Sequence, residues 1–119
     1  MAARCGAGKT QMTVKTLETS EEIIVLVDGD LDLSTITAFK IAVQQAFDVR
    51  QDRALVIDLR ETEYIDSAGL EQLLVANRKL MAHDRRLIVR VHPESQPHTV
   101  LRVTGFDAVM DVEPVPDAN

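Results

Sequence analysis

The chain has 119 residues, about the length of one domain, and 45% of them are hydrophobic, which is enough for a packed core. A net charge of −6 argues against a nucleic-acid-binding protein, which needs a basic face, and against attachment to an anionic membrane surface. The sequence has no apolar run long enough to span a bilayer and no secretory signal, so we expect a cytoplasmic protein. Its one cysteine, Cys5, cannot form an internal disulfide.

The first part of the chain predicts a tail, two strands and a turn. Residues 1–11 are small or polar without periodicity and predict a flexible tail, in which residues 6–10 match only half of a phosphate-binding loop. Residues 13–17 and 23–27 predict two strands joined by a hairpin. Because the second strand is a continuous apolar run, we expect it to be buried on both faces. Residues 29–32 then turn the chain.

Helices and strands alternate after this turn. Ser34 or Thr35 is a plausible N-cap for a helix to about Val49, whose apolar residues at 36, 39, 43 and 46 share one face. A strand at 54–59 leads to a second helix from about residue 67 to 82. Its apolar stripe is expected to contain Leu70, Leu73, Leu74, Leu80 and Met81.

The last third predicts one more strand–helix–strand unit. A strand at 87–91 is followed by a short helix that Ser95 caps and that ends before Gly105. Residues 109–112 predict the final strand. Two prolines follow, so we expect residues 114–119 to be a flexible tail.

The order β-β-α-β-α-β-α-β predicts a single α/β domain over residues 12–113. Its sheet should be mixed, with parallel later strands packed by amphipathic helices. Binding sites in such sheets gather beyond the carboxyl ends of the strands. Because residues 29–34 and 60–70 both follow strands, we expect these two loops to share one end of the domain.

The most informative stretch is residues 64–70, Tyr-Ile-Asp-Ser-Ala-Gly-Leu, where a strand leads into a helix. Asp66 and Ser67 are both good capping residues, but only one side chain can accept from the free N–H groups of the first turn. If Asp66 caps, the hydroxyl of Ser67 is left over at the positive helix end. Gly69 costs the helix roughly 1 kcal/mol relative to Ala and permits close backbone approach. This combination favours a site where phosphate is added and then recognised.

Two other roles for Ser67, as a helix cap or as a nucleophile, have to be considered. Serine at a strand-to-helix junction is most often a simple capping residue. A nucleophilic serine lacks its usual support, since the Gly-x-Ser-x-Gly elbow is absent. A Ser-His-Asp arrangement stays open, because the chain contains His83, His92 and His98.

Metal binding has little support in the sequence. There is no pair of cysteines and no zinc-type histidine spacing, and Asp28, Asp30 and Asp32 match only part of a calcium loop. We therefore expect no metal and no cofactor. The charged residues at 50–53 and 85–86 are interpreted as solvated charge.

Three short patterns resemble the STAS domain of bacterial anti-sigma factor antagonists, over about residues 12–113. Residues 64–70, after an apolar strand, are similar to the family's phosphorylation motif. Residues 29–32, Gly-Asp-Leu-Asp, are similar to the family's loop before its first helix, and Thr-Gly-Phe at 104–106 precedes the last strand. The turn at 82–86 departs from the family, in which a glycine is common there.

The resemblance implies a regulatory switch rather than an enzyme. The unphosphorylated family member binds an anti-sigma factor that is also a serine kinase of the GHKL ATPase type, and this binding releases a sigma factor. Phosphorylation of the motif serine, here Ser67, breaks the complex, and a phosphatase restores it. The residues that the resemblance implies for the partner surface are Gly29, Asp30, Asp32, Asp66, Ser67, Ala68, Gly69 and Leu70.

Two other functions remain open at this point. A STAS module can work in a stressosome-like scaffold, or beside a transporter or sensor. A small enzyme or nucleotide-binding protein is the other alternative, with the loops at 29–34 and 64–70 as its site. The chain shows no fused domain, which favours the free antagonist.

Overall fold

The computed structural model describes residues 12–49 and 52–116, so the tail at 1–11, with Cys5 and the half loop at 6–10, lies outside the described residues. The elements are β1 (Thr13–Glu18), β2 (Glu22–Asp28), α1 (Ile36–Val49), β3 (Ala54–Glu61), α2 (Ser67–Ala82), β4 (Leu87–Val91), α3 (Gln96–Val103), a short 3-10 helix (Phe106–Ala108) and β5 (Asp111–Pro114). This order confirms the predicted mixed α/β fold.

The five strands of the sheet lie in the order β1-β2-β3-β4-β5. The hairpin pair β1–β2 is antiparallel, and the three later pairs are parallel. Right-handed crossovers that always advance in one direction place their helices on the same face of the sheet. The core lies on that face, where Val25, Ile57 and Val89 of the sheet belong to one buried cluster with Phe39 of α1 and Leu73 of α2.

The opposite face of the sheet mixes apolar and charged side chains and is only partly covered at β2, which corrects one expectation. In β2 the side chains of Ile23, Val25 and Val27 are fully buried, but the residues between them are only half-buried. The strand is therefore not buried on both faces. Arg90 lies across the second face, where its guanidinium contacts Glu22 at 3.0 Å and Glu113 at 3.2 Å.

The bounds of α2 agree with the prediction, but its buried face is rotated. Leu73 and Leu80 are buried as expected, whereas Met81 is 63% exposed. Asn77 takes a buried position, and its amide Nδ2 donates to the carbonyl of Val109 at 3.1 Å. A polar residue is tolerated there because this hydrogen bond satisfies it.

The final strand begins and ends two residues later than predicted. The 3-10 helix keeps Val109 and Met110 in a turn, because both of their N–H groups donate to the carbonyl of Phe106. The strand then includes Pro114, and Val115 donates to Val91 at 2.8 Å. Proline is tolerated because β5 is an edge strand. Residues 114 and 115 are thus part of the sheet edge rather than a flexible tail.

Arg85 is a structural residue and not solvated charge. Its guanidinium donates to the carbonyls of Phe47 at 2.9 Å and Arg53 at 3.1 Å. It also lies 4.8 Å from the centre of the Phe47 ring, a favourable cation–π geometry. Burial lowers the pKa of Arg85. One side chain therefore joins the last turn of α1 to the segment before β3.

Candidate functional site

The two loops predicted at one end of the domain meet there through their backbones. Leu31 and Ile65 form an isolated parallel bridge. The N–H of Leu31 donates to Tyr64 at 3.0 Å, and the N–H of Asp66 donates to Leu31 at 3.2 Å. This confirms that the segment before α1 and the segment before α2 form one surface.

Gln96 holds the loop before α2 from its other side. Its Oε1 accepts from the N–H of Ile65 at 2.9 Å, and its Nε2 donates to the carbonyl of the same residue at 3.0 Å. Gln96 is the first residue of α3 and lies 31 positions after Ile65. Sequence reasoning missed it, because no local pattern points to a partner so distant.

Asp66 is the N-cap of α2, which was one of the two possibilities that the sequence left open. Its backbone is extended, and its Oδ1 accepts from the N–H of Gly69 at 3.0 Å. Ser67 is then the first helical residue and its side chain is exposed. Within the described residues its hydroxyl has no hydrogen-bond partner, so it is available for chemistry.

The close approach that Gly69 permits is on the inner side of α2. A Cβ at this position would lie 2.7 Å from the carbonyl oxygen of Leu31 and 2.7 Å from Cγ1 of Ile65. The glycine therefore lets the first turn of α2 pack directly on the bridged loops. Because Gly69 is buried, it supports the surface from beneath and is not itself open to a phosphate or a partner.

Hydroxyl and carboxylate groups fix the turn before α1. The hydroxyl of Ser34 donates to Oδ1 of Asp32 at 2.7 Å, and this bond lowers the pKa of the Asp32 carboxyl. The carbonyl of Thr35 accepts the first helical bond, from Phe39. Its hydroxyl, however, accepts from the N–H of Asp32 at 3.0 Å and donates to the carbonyl of Asp30 at 2.9 Å. Thr35 thus stands at the N-cap position but uses its side chain to hold the turn.

Two exposed apolar side chains belong to this end of the domain. Leu33 is 74% exposed and Tyr64 is 47% exposed. The N–H of Leu33 donates to Oδ2 of Asp66 at 3.1 Å, so the carboxylate of Asp66 contacts both loops. Sequence analysis overlooked Leu33, although an apolar residue just before α1 and off its apolar face was a usable signal.

Comparison with known proteins establishes the family. A protein-family model described as "Mlab, STAS domain" matches residues 14–112. The chain belongs to the STAS domain family. The structure of an anti-sigma factor antagonist from Mycobacterium paratuberculosis is similar, with a TM-score of 0.77 and 25% identity over 89% of this chain and 88% of that one.

The fold of this STAS domain is also that of SpoIIAA. The anti-sigma factor antagonist SpoIIAA in its unphosphorylated form matches with a TM-score of 0.65 and 18% identity, over 88% of this chain and 89% of that one. The Bacillus SpoIIAA structure in the phosphorylated form matches with a TM-score of 0.61 and 18% identity, over 86% and 90%.

The histidines of the STAS domain make hydrogen bonds with residues close to them in the sequence. The Nδ1 of His83 is 2.9 Å from the carbonyl of Lys79, and the Nδ1 of His98 is 2.8 Å from the carbonyl of Pro93. His92 accepts from the N–H of Glu94. Across the ranges 12–49 and 52–116, no group of three or more possible ligands could hold a metal ion. In the same ranges, no helix has the length and apolar character to cross a membrane.

Proposed function

We propose that this STAS domain is an anti-sigma factor antagonist controlled by phosphorylation of Ser67. In its unphosphorylated form it binds an anti-sigma factor that is also a GHKL-type serine kinase, and a sigma factor is released. The observation that carries the proposal is the exposed, unused hydroxyl of Ser67, next to a cap that Asp66 already provides. The similarity to antagonists from other bacteria supports the same role.

The chemistry of the switch is a phosphoryl transfer. The γ-phosphoryl group of ATP moves to Oγ of Ser67, ADP leaves, and the hydroxyl proton passes to a base of the kinase. The phosphate adds about −1.5 to −2 charge at neutral pH. It does so beside Asp66 on a chain of net charge −6. A partner surface packed on a neutral hydroxyl must then accept new bulk and an unpaired charge.

The domain itself can keep its fold after this modification. The N-terminus of a helix stabilises an anion through its free N–H groups and its dipole. In the complex the same phosphate would also have to lose its water against the partner surface, and a phosphatase that removes the phosphate restores binding. A reversible switch requires this difference, in which the domain tolerates the phosphate and the complex does not.

The proposed partner surface surrounds Ser67 at the end of the sheet where the loops meet. Ser67 is exposed there, and its neighbours in the set are half-exposed: Gly29, Asp30, Asp32, Asp66, Ala68 and Leu70. Gly69 contributes from beneath by holding α2 against the loops. We place this interaction in the cytoplasm, where sigma factors act.

Binding and phosphate mapping together test the proposal. Each purified GHKL-type anti-sigma factor encoded in the same genome is mixed with the protein, first without and then with ATP. We expect one of them to bind without ATP and to place stoichiometric phosphate on Ser67, mapped by mass spectrometry. Phosphate on Ser34, Thr35 or Thr62 with Ser67 unmodified would contradict the assignment. A large assembly of STAS proteins would instead favour the scaffold function, and retained nucleotide would favour the nucleotide-binding one.

A further inference from the structure

The carboxylate of Asp66 connects two segments that are distant in the sequence. Its Oδ1 accepts from Gly69 in the first turn of α2, and its Oδ2 accepts from the N–H of Leu33 at 3.1 Å. The second bond spans 33 residues. Both oxygens of one side chain are therefore engaged, one on each of the two loops that form the proposed partner surface.

The backbone N–H of Leu33 is fixed by a hydrogen bond, whereas its side chain is exposed to solvent. It is 74% exposed and lies beside the start of α1, which begins at Ile36. An exposed leucine gains nothing for the fold, whereas burial against a partner removes apolar surface from water. The bond from Asp66 fixes where that apolar side chain is presented.

A phosphate on Ser67 acts directly on this arrangement. It places a second anionic group on the residue next to Asp66, and it competes for the same free N–H groups of the first turn. Like charges repel most strongly at such short range. A phosphate on Ser67 therefore acts directly on the carboxylate of Asp66.

We propose that Asp66 is a positioning residue that holds Leu33 as an apolar contact for the anti-sigma partner, and that phosphate on Ser67 weakens this hold. The partner contact rests on the proposed function, whereas the coupling from Ser67 through Asp66 to Leu33 is a property of the domain alone. The matching feature of the partner is an apolar recess next to the site that receives the Ser67 hydroxyl.

The coupling is tested by NMR on the isolated protein, with phosphoserine introduced at position 67 during translation. A hydrogen bond to a carboxylate moves an amide proton downfield, so we expect the Leu33 signal to move upfield on phosphorylation. Asp66→Ser keeps a capping oxygen for Gly69 but is too short to reach Leu33, and should move that signal the same way without phosphate. The amide of Asp32, which is bonded to the Thr35 hydroxyl, is the internal control.

The variant also decides whether phosphate acts through Asp66. In Asp66→Ser, phosphorylation should leave the Leu33 signal nearly unchanged, because the bond is already absent. An unchanged Leu33 signal in the phosphorylated wild type, or an equal upfield shift with and without Asp66, overturns the coupling. Broad changes in β1 and β5 would also overturn it, since they would indicate refolding instead.

The partner contact is tested by affinity for the anti-sigma factor that binds the wild type. Leu33→Ala should weaken binding roughly tenfold. Ile41→Ala, which truncates another apolar side chain that is 53% exposed on α1, is the matched control and should bind normally. The double variant Asp66→Ser, Leu33→Ala should lose less affinity than the sum of the two single losses, because part of the effect of Asp66 acts through Leu33. Normal binding by Leu33→Ala, or additive losses, overturns the contact. Failure of the wild type to bind any anti-sigma factor overturns the proposed function, while the Leu33 signal still decides the coupling.

Discussion

Asp66 and Ser67 are adjacent residues of similar capping ability that take separate roles. Asp66 accepts from the free N–H of Gly69 in the first turn of α2, so the Ser67 side chain is not needed as a cap. The stability of α2 therefore does not depend on the Ser67 hydroxyl. A residue that contributes little to the fold can be modified and restored repeatedly without harm to the domain.

Two substitutions of Ser67 should have opposite effects on binding. Ser67→Ala keeps the position neutral and small, so it should bind the anti-sigma partner and stay bound in ATP. Ser67→Glu adds one negative charge beside Asp66 and should weaken binding by about 1–3 kcal/mol, or roughly five- to 150-fold. Titration calorimetry measures both affinities, and thermal denaturation should give near-wild-type melting temperatures for both variants.

The control for this pair is the same change on a serine far from Ser67. Ser20 is exposed in the hairpin between β1 and β2, at the other end of the sheet. Ser20→Glu adds an equal charge there and should leave binding unchanged. Equal affinities of the two Ser67 variants would show that charge at this position does not control the complex.

The carboxyl of Asp32 should titrate below its ordinary pKa of 3.8, chiefly because the Ser34 hydroxyl donates to it. A depressed pKa in the folded state contributes stability that is present above 3.8 and is lost as the pH falls through the lowered pKa. Ser34→Ala removes the largest cause and should raise the pKa of Asp32 toward 3.8. Carbon-detected NMR titration of the side chain measures the change, and no rise would disprove the assigned cause.

Helix α2 packs directly on the two loops because Gly69 has no side chain. Gly69→Ala would place a methyl group 2.7 Å from a backbone carbonyl, which cannot move without displacing the Leu31 bridge. Overpacking of this kind costs about 1–3 kcal/mol, and the better helix propensity of Ala returns at most about 1 kcal/mol. We expect a melting temperature several degrees lower, with amide shifts at Leu31 and Ile65.

Gly105 provides the contrasting case. It has a φ of +80°, and a methyl group added there would meet no atom within 4 Å, so Gly105→Ala should cost about 1–2 kcal/mol through backbone strain alone. Asn tolerates this conformation, so Gly105→Asn should recover part of the loss, whereas Gly69→Asn should not. Recovery at both positions would show that Gly69 is required for its conformation and not for space.

What sequence reasoning could predict follows the range of the interactions. The start of α2 was predictable because residues 66 and 67 are both capping residues, and the shared end of the loops followed from the alternation of strands and helices. The functions of Gln96 and Arg85 were not predictable, since each bonds backbone groups about 30 residues away. The start of β5 was misjudged because residues 109–110 are as apolar as a strand but are held in a turn.

The two ends of the sheet are specialised differently. The loops around Ser67 follow the carboxyl ends of β2 and β3, whereas Arg85 precedes β4 and therefore lies at the opposite end. It joins α1 to the segment before β3 by two hydrogen bonds to carbonyls. Stability should thus be adjustable at that end without any effect on the proposed switch at Ser67.

Arg85→Met should lower the free energy of unfolding by about 1–3 kcal/mol, because two carbonyls lose their donor. Arg85→Lys should recover only part, since an ammonium lacks the planar fork that reaches both. Binding of the anti-sigma partner should stay at the wild-type level at temperatures where the variants are folded. Denaturant titration and calorimetry measure the two quantities, with exposed Arg102→Met as control. Weakened binding would contradict the independence of the two ends.

The strands of the sheet follow one another in space as they do in the sequence. Each strand pairs with the one synthesised just before it, so a nascent chain leaving the ribosome can extend the sheet one strand at a time. Leu31 and Ile65 can meet as soon as residue 65 has emerged, well before α3 is translated. The two hydrogen bonds from the Gln96 side chain to Ile65 can form only after α3 is translated, so they are the last to stabilise the loop before Ser67.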